Sequence, residues 1–269
     1  MRRLFLLLLL LSATATSAQT RRAVSPTQLW PEAQAELALA NGDYLLLALR
    51  GENPRHLGFD AGRLTLGYEH FWNGRWSWGG TARFTGGSGQ DETFVPEALL
   101  RHRAPVLGGL TFGQRLSVER SFVNTSGYKG GSGPNGQTNV RLRVDLEKLL
   151  PVGSAGLALR PRLSYEAVTR LRLQKADTDP SERTIQFTSL RAEMGVRVSP
   201  RFDFTPWFAR RTEYIIELAG FDAKQVVTRE AGNTNNVMPI FGLDLRYMLF
   251  SGRLSEADRA RRVVLPTQH

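Results

Sequence analysis

The sequence predicts an all-β chain, folded as an antiparallel, up-and-down β-barrel of about ten strands (about 10–12). Three observations predict it. Long segments alternate between apolar and polar residues. The links between those segments alternate between short turns and longer polar stretches. Beyond the first residues no apolar run approaches the roughly 20 residues that a membrane-spanning helix needs.

The chain begins with Arg2-Arg3, an apolar run from Leu4 to Leu11, and small residues ending at Thr16-Ser17-Ala18 before Gln19. A positive end, a short apolar core and a small-residue exit predict a secretory signal peptide over 1–18 and a mature chain starting near Gln19. The run is too short for a membrane anchor. Residues 19–43 come next. Ala33, Ala35, Leu37 and Leu39 alternate with Glu32, Gln34 and Glu36, which suggests a strand ending at Asn41-Gly42. The same residues favour a helix, with Gly42 as its C-cap. An eleventh spanning strand here would put the two chain ends on opposite sides. The expectation is therefore a periplasmic segment, or one strand of a twelve-strand count.

The barrel itself is expected over 44–250. In Gly67–Gly80 an Asn73-Gly74 pair, a strong hairpin signal, is flanked by Tyr68, Phe71, Trp72, Trp76 and Trp78. After the turn, Trp76, Trp78, Ala82 and Phe84 oppose Ser77, Thr81 and Arg83. Leu110, Phe112, Leu116, Val118 and Phe122 oppose Thr111, Arg115, Ser117, Glu119 and Ser121. Val140, Leu142, Val144 and Leu146 oppose Arg141, Arg143, Asp145 and Glu147. Leu157, Leu159, Leu163, Tyr165 and Ala167 oppose Arg160, Arg162, Ser164 and Glu166. Leu190, Ala192, Met194, Val196 and Val198 oppose Arg191, Glu193 and Arg197. Phe241, Leu243, Leu245, Tyr247 and Leu249 oppose Asp244 and Arg246. A period of two sustained this long is a strand signal.

Short links are Asn73-Gly74, 105–109, 150–156 and 199–201; long polar links are 86–92, 124–138, 175–182 and about 217–236. Short turns on one side and long loops on the other is a habit of outer-membrane barrels. In this pattern the sequence resembles bacterial outer-membrane β-barrel proteins, in particular the uncharacterised small barrels of Bacteroidota-type genomes. The resemblance covers most of the mature chain and brings no catalytic motif with it. It implies a location in the bacterial outer membrane and outer-membrane lipid as the surrounding partner. The end departs from the usual pattern: Phe250 is off parity with Tyr247, and residues 251–269 form a basic tail containing Arg259, Arg261 and Arg262.

Parity alone does not say which face is inside, because a lipocalin-like carrier would carry its apolar face inward. A lipid-facing Arg near mid-membrane costs roughly 2–4 kcal/mol, so a row of them must face the lumen. The expected lumen ladder is Arg101, Arg115, Glu119, Arg141, Arg143, Asp145, Glu147, Arg160, Arg162 and Glu166, continuing with Arg191, Glu193, Arg197, Asp244 and Arg246. The expected interfacial aromatics are Tyr68, Phe71, Trp72, Trp76, Trp78, Phe202, Phe204, Trp207 and Tyr247, which cluster near turns as membrane girdles do.

Net charge is +10, and only four of the 35 cationic residues are lysine. The arginines are spread along the strands rather than gathered in one tract, so nucleic acid is not an expected partner. Cysteine is absent, which removes disulfides and thiol chemistry. His70 with Glu69 and Ser77 is the single cluster to nominate for acyl chemistry, but His70 lies near an aromatic turn, and an interfacial histidine is the favoured reading. His102, between Arg101 and Arg103, also reads as interfacial. Gly131–Gly136 has the letters of a dinucleotide fingerprint without the strand and helix that it requires. Asp177, Asp179 and Glu182 match a calcium loop only in part. No catalytic residue, cofactor or metal site is expected. The expected role is structural or surface interaction through long loops, around a lumen filled by paired charges, with an anion-preferring channel, a lipid-modifying enzyme and a soluble carrier as alternatives.

Overall fold

A computed structural model describes residues 20–52, 61–87, 90–124, 136–152, 157–171, 185–217, 220–221, 227–229 and 232–251. Eleven strands close into a barrel: β1 (Gln28–Ala38), β2 (Tyr44–Glu52), β3 (Ala61–Phe71), β4 (Trp76–Gly87), β5 (Gln90–Pro105), β6 (Leu110–Asn124), β7 (Gln137–Lys148), β8 (Leu157–Arg170), β9 (Ile185–Ser199), β10 (Phe202–Glu217) and β11 (Gly232–Phe250). Each strand from β1 to β11 pairs antiparallel with the next. A short strand, Leu150–Val152, pairs with the start of β8, and Gly220–Phe221 pairs with Val227–Arg229.

The closing seam is parallel. β1 runs alongside β11 from Gln28↔Ile240 to Ala38↔Phe250, and Arg21–Val24 continues the same parallel pairing along Thr234–Val237. The barrel therefore begins before Tyr44, and its strand number is odd. The segment read as either a periplasmic stretch or one strand of twelve supplies β1, which brings the count to eleven. Its inward residues Trp30, Glu32, Gln34 and Glu36 are buried, and Glu32 meets Arg50 of β2 at 2.6 Å. A helix would have turned those polar side chains around its axis and left them without partners. The parallel seam puts the start of β1 at the long-link end of the barrel and the end of β11 at the short-turn end.

The short turns are built by local chemistry. Gly42 has φ +85°, a conformation that favours glycine, and Leu39 and Asp43 close the turn with a 2.7 Å backbone bond. The Asn73-Gly74 link is four residues long rather than two. Asn73 Oδ1 accepts the N–H groups of Arg75 (2.8 Å) and Trp76 (2.9 Å), an Asx-type turn. Gly108 and Gly109 both have φ +72° in the 106–109 link, and Ser199 Oγ accepts from Phe202 N–H at 3.1 Å across Pro200-Arg201. At the other end, the expected 86–92 link is mostly strand, since β4 reaches Gly87 and β5 starts at Gln90. The expected signal peptide over 1–18, His56, most of the 124–138 link, all of the 175–182 link, residues 131–135 of the glycine run and the tail after Ser251 lie outside the described residues.

The strands carry their apolar parity outward. Leu116, Val118, Leu142, Leu163, Leu243 and Leu245 are among many large apolar side chains exposed on the barrel wall. The interior is charged, with two apolar islands. One holds Trp30, Trp207, Ala209 and Ile240; the other holds Tyr44, Leu46 and Ala48 with Phe71 against them.

Candidate functional site

The candidate site is the barrel interior. Its short-turn half is packed with paired charges. Arg246 and Asp244, both 0% exposed, sit at its centre. Arg246 bonds Asp203 and lies 3.9 Å from Glu36. Arg191 bridges Glu193 (2.7 Å) and Asp244 (2.6 Å) and stacks over the Trp207 ring at 4.0 Å. Trp207 Nε1 donates to the other oxygen of Asp244 at 2.7 Å. Arg162 meets Glu193 at 2.5 Å, and Arg103 bonds Glu147. Glu69 accepts from Tyr44 and Ser77 hydroxyls and from Arg101 at 3.2 Å. Buried charges must be paired in this way, because removing either from water costs several kcal/mol per ion.

Toward the long-link end the interior opens into a cavity of about 390 Å³. Its walls include Arg115 against Glu97 (2.6 Å) and Glu119 held by both Arg83 and Arg141. Arg141 also bonds Glu166. Phe187 lies between Arg211 and Arg141, with their guanidinium carbons 4.1 and 5.3 Å from its ring centre. Trp30, Trp207 and Ile240 make the wall apolar at the seam.

Every expected ladder residue falls on the inward parity. Arg115, Glu119, Arg143, Glu147, Arg160, Arg162, Arg191, Glu193, Arg197, Asp244 and Arg246 are buried, while Arg101, Arg141, Asp145 and Glu166 are half-buried. The partners differ from simple cross-hairpin pairing. Glu147 is opposite Arg162 in register, yet each finds its ion pair on a different strand. Sequence reasoning missed Glu32, Glu36, Glu69, Glu97, Arg103 and Asp203 as interior partners. The signal available was parity: Glu97 is in step with Arg101, and Asp203 with Thr205.

Two expected interfacial aromatics are interior. Trp207 is 5% exposed, because it shares parity with Asp203 and Thr205 and is held by Asp244. Phe71 shares parity with Glu69 and packs on Tyr44, ring centres 5.9 Å apart. Tyr68, Trp72, Trp76, Trp78 and Tyr247 are exposed, and Phe202 and Phe204 are half-buried on the same outward parity. Trp78 is 6.4 Å from both Tyr68 and Trp72. Phe84, Phe94 and Phe122 form a further outer stack, at 4.7 and 6.1 Å.

The structure does not assemble the nominated His70 cluster. His70 stands on the outer side against Trp78, ring centres 5.8 Å apart, while Ser77 is buried inside on Glu69. Adjacent residues of a strand point to opposite faces, so Glu69 and His70 cannot serve one site. His70 Nδ1 instead lies 3.0 Å from Asp43 Oδ2. Asp43 also accepts from Tyr68 hydroxyl (2.6 Å) and Asn41 Nδ2 (2.7 Å). Burial opposes ionisation of this carboxyl, but the bonds from Tyr68, His70 and the Phe71 N–H outweigh it and hold its pKa below the usual value. His102 stacks on Trp76 at 4.4 Å, on the outer face. Among the described residues no group of three or more His, Asp or Glu is arranged to hold a metal ion. Comparison with protein families, with curated proteins and with solved structures found no match to this chain.

Proposed function

We propose that this chain is an outer-membrane β-barrel protein, exported with a cleaved signal peptide, whose lumen is closed by paired charges. Its role is structural or surface interaction through the links of the long-link end. One observation carries the reading: the wall turns its large apolar side chains outward and buries its arginines and carboxylates inside. In water, an apolar surface of that extent is an aggregation liability; in lipid it is the required surface. A carrier of the lipocalin kind needs the reverse arrangement. The strands, most of them 11 to 19 residues long, are long enough for the roughly 9–11 residues of a tilted spanning strand.

With the short turns periplasmic, the exposed Trp72, Trp76 and Trp78 sit at the periplasmic interface. The first residues of β1 are then at the external end. No enzymatic activity is proposed. Against a conducting channel stand Tyr44, Glu69, Asp203 and Arg246, all buried at the short-turn end; an open bore would leave its lining accessible.

The test is fractionation of the mature protein, then gel mobility with and without boiling, then conductance in planar bilayers. Recovery in the outer-membrane fraction, a heat-dependent mobility shift and no steady conductance are expected. Recovery in the soluble periplasmic fraction would overturn the membrane reading. Steady anion-selective conductance would replace the closed lumen by a channel.

A further inference from the structure

Three arginines stand side by side inside the barrel. Arg101 of β5 is opposite Arg115 of β6, and Arg115 is opposite Arg143 of β7. Like charges directly opposite each other on neighbouring strands are destabilising, so such a row calls for counter-charge. Arg101 has Glu69 and Arg115 has Glu97. Arg143 is opposite Glu166 of β8 in register, but that carboxylate is bonded by Arg141. Arg143 is 5% exposed, and its Nε and Nη2 find no hydrogen-bond partner among the described residues. A guanidinium never loses its proton under ordinary conditions, and a buried charge without a partner is costly. Arg143 also lines the cavity of about 390 Å³.

We propose that this cavity is a blind binding pocket for a small organic anion, entered from the long-link end, with Arg143 as the residue that holds the anionic head. Two features beyond Arg143 define the ligand. First, the surrounding carboxylates are already engaged: Glu97 by Arg115, and Glu119 and Glu166 by Arg141. They contribute little repulsion against an incoming oxyanion, and the planar fork of Arg143 suits a carboxylate or a phosphate. Second, the pocket is not polar all round. Trp30, Trp207 and Ile240 present an apolar surface to the same space. An oxyanion carrying a flat apolar body fits such a pocket better than inorganic phosphate does, since an apolar wall fixes nothing in a fully hydrated ion. The inference rests on the barrel interior alone and holds whether the wall is surrounded by lipid or by water.

The experiment is calorimetric titration of the full mature chain, refolded in detergent, with phenyl phosphate, inorganic phosphate and benzyl alcohol. Folding is verified beforehand by the β-sheet circular dichroism spectrum and a cooperative urea transition, which do not depend on the membrane reading. Phenyl phosphate is expected to bind, more tightly than inorganic phosphate, and benzyl alcohol is not. Arg143→Gln should weaken phenyl phosphate by about tenfold or more, the scale of a lost charge-assisted bond. Arg143→Lys keeps the charge without the fork and should fall between the two. Arg197→Gln, an interior arginine of the short-turn end, should leave binding unchanged. No heat from the wild-type chain at about 10 mM phenyl phosphate, where a millimolar Kd is detectable, overturns the proposal even if no variant folds. Equal binding by wild type and Arg143→Gln overturns the role of Arg143. Benzyl alcohol binding as well as phenyl phosphate overturns the anion.

Discussion

The Trp207 indole occupies the space above Gly242. The two residues are register partners on β10 and β11, and a Cβ on Gly242 would overlap Cε2 and Cζ2 of the ring. Gly242 is equally the register partner of Trp30 across the parallel seam. One glycine thus lies between two tryptophans on three adjacent strands, and their rings meet edge-on with centres 6.3 Å apart. Gly242→Ala is expected to push Trp207 off Asp244 and destabilise the barrel by about 1–3 kcal/mol, the usual range for overpacking. Urea unfolding followed by tryptophan fluorescence measures it. An unchanged midpoint would mean that Trp207 relocates without loss.

The centre of the ion-pair network should be more sensitive still. Arg246 is 0% exposed and holds Asp203, with Glu36 nearby. Arg246→Met removes a cation and leaves the buried carboxylates of Asp203 and Glu36 with less compensation. The expected loss is about 3–5 kcal/mol. Asp203→Asn combined with Arg246→Met should recover part of it, because one uncompensated charge goes too. Urea midpoints of the wild type, the single variant and the double variant form the comparison.

The alternating parities of β6 to β9 were legible in the sequence because each strand has one charged inner face and one apolar outer face, and this forces a period of two. β2 was not. Tyr44, Leu46 and Ala48 face inward while Leu45, Leu47 and Leu49 face outward, so an apolar island of the interior erases the alternation. Trp207 was misplaced by grouping it with nearby aromatics near a turn, although strict alternation with Asp203 and Thr205 puts it inside. Ion-pair partners were illegible for a geometric reason. Several pairs skip a strand: Arg83 of β4 reaches Glu119 of β6, Arg103 of β5 reaches Glu147 of β7, and Arg191 of β9 reaches Asp244 of β11. Tilted strands and long side chains bring together residues that no hairpin register relates.

The outer wall gives a prediction that separates lipid from water. Leu116 is mid-strand on β6, exposed, and next to the inward Arg115 and Ser117. Leu116→Arg should cost about 2–4 kcal/mol in lipid vesicles, as a charge near the bilayer midplane does. Trp76→Arg, at the short-turn end of β4, should cost much less, since the penalty fades toward the interface. Equal costs at the two positions, measured by urea titration in vesicles, would argue against a membrane around this wall.

His70→Ala should leave outer-membrane lipid composition unchanged, because the inward Ser77 and the outward His70 cannot act on one substrate. Lipid profiles of cells carrying the variant check this. An altered profile would reopen a catalytic role for the short-turn end.

The Asp43 knot adds a pH dependence with a definite sign. Its carboxyl has a pKa below the ordinary 3.8 in the folded chain. Relative to the unfolded chain, the folded state therefore prefers the ionised form. That preference stabilises the turn fully above the unfolded pKa and fades as pH falls below about 4 through the folded value. Asp43→Asn keeps the shape and removes the titration. The variant should be less stable than wild type at neutral pH, because Tyr68 and the Phe71 N–H lose a charged acceptor. The gap should shrink as pH falls below 4, since wild type then loses what the variant already lacks. Urea midpoints from pH 7 down to about pH 3 for both proteins test it. A gap that stays constant over that range would mean that the knot is held by shape and not by the charge on Asp43.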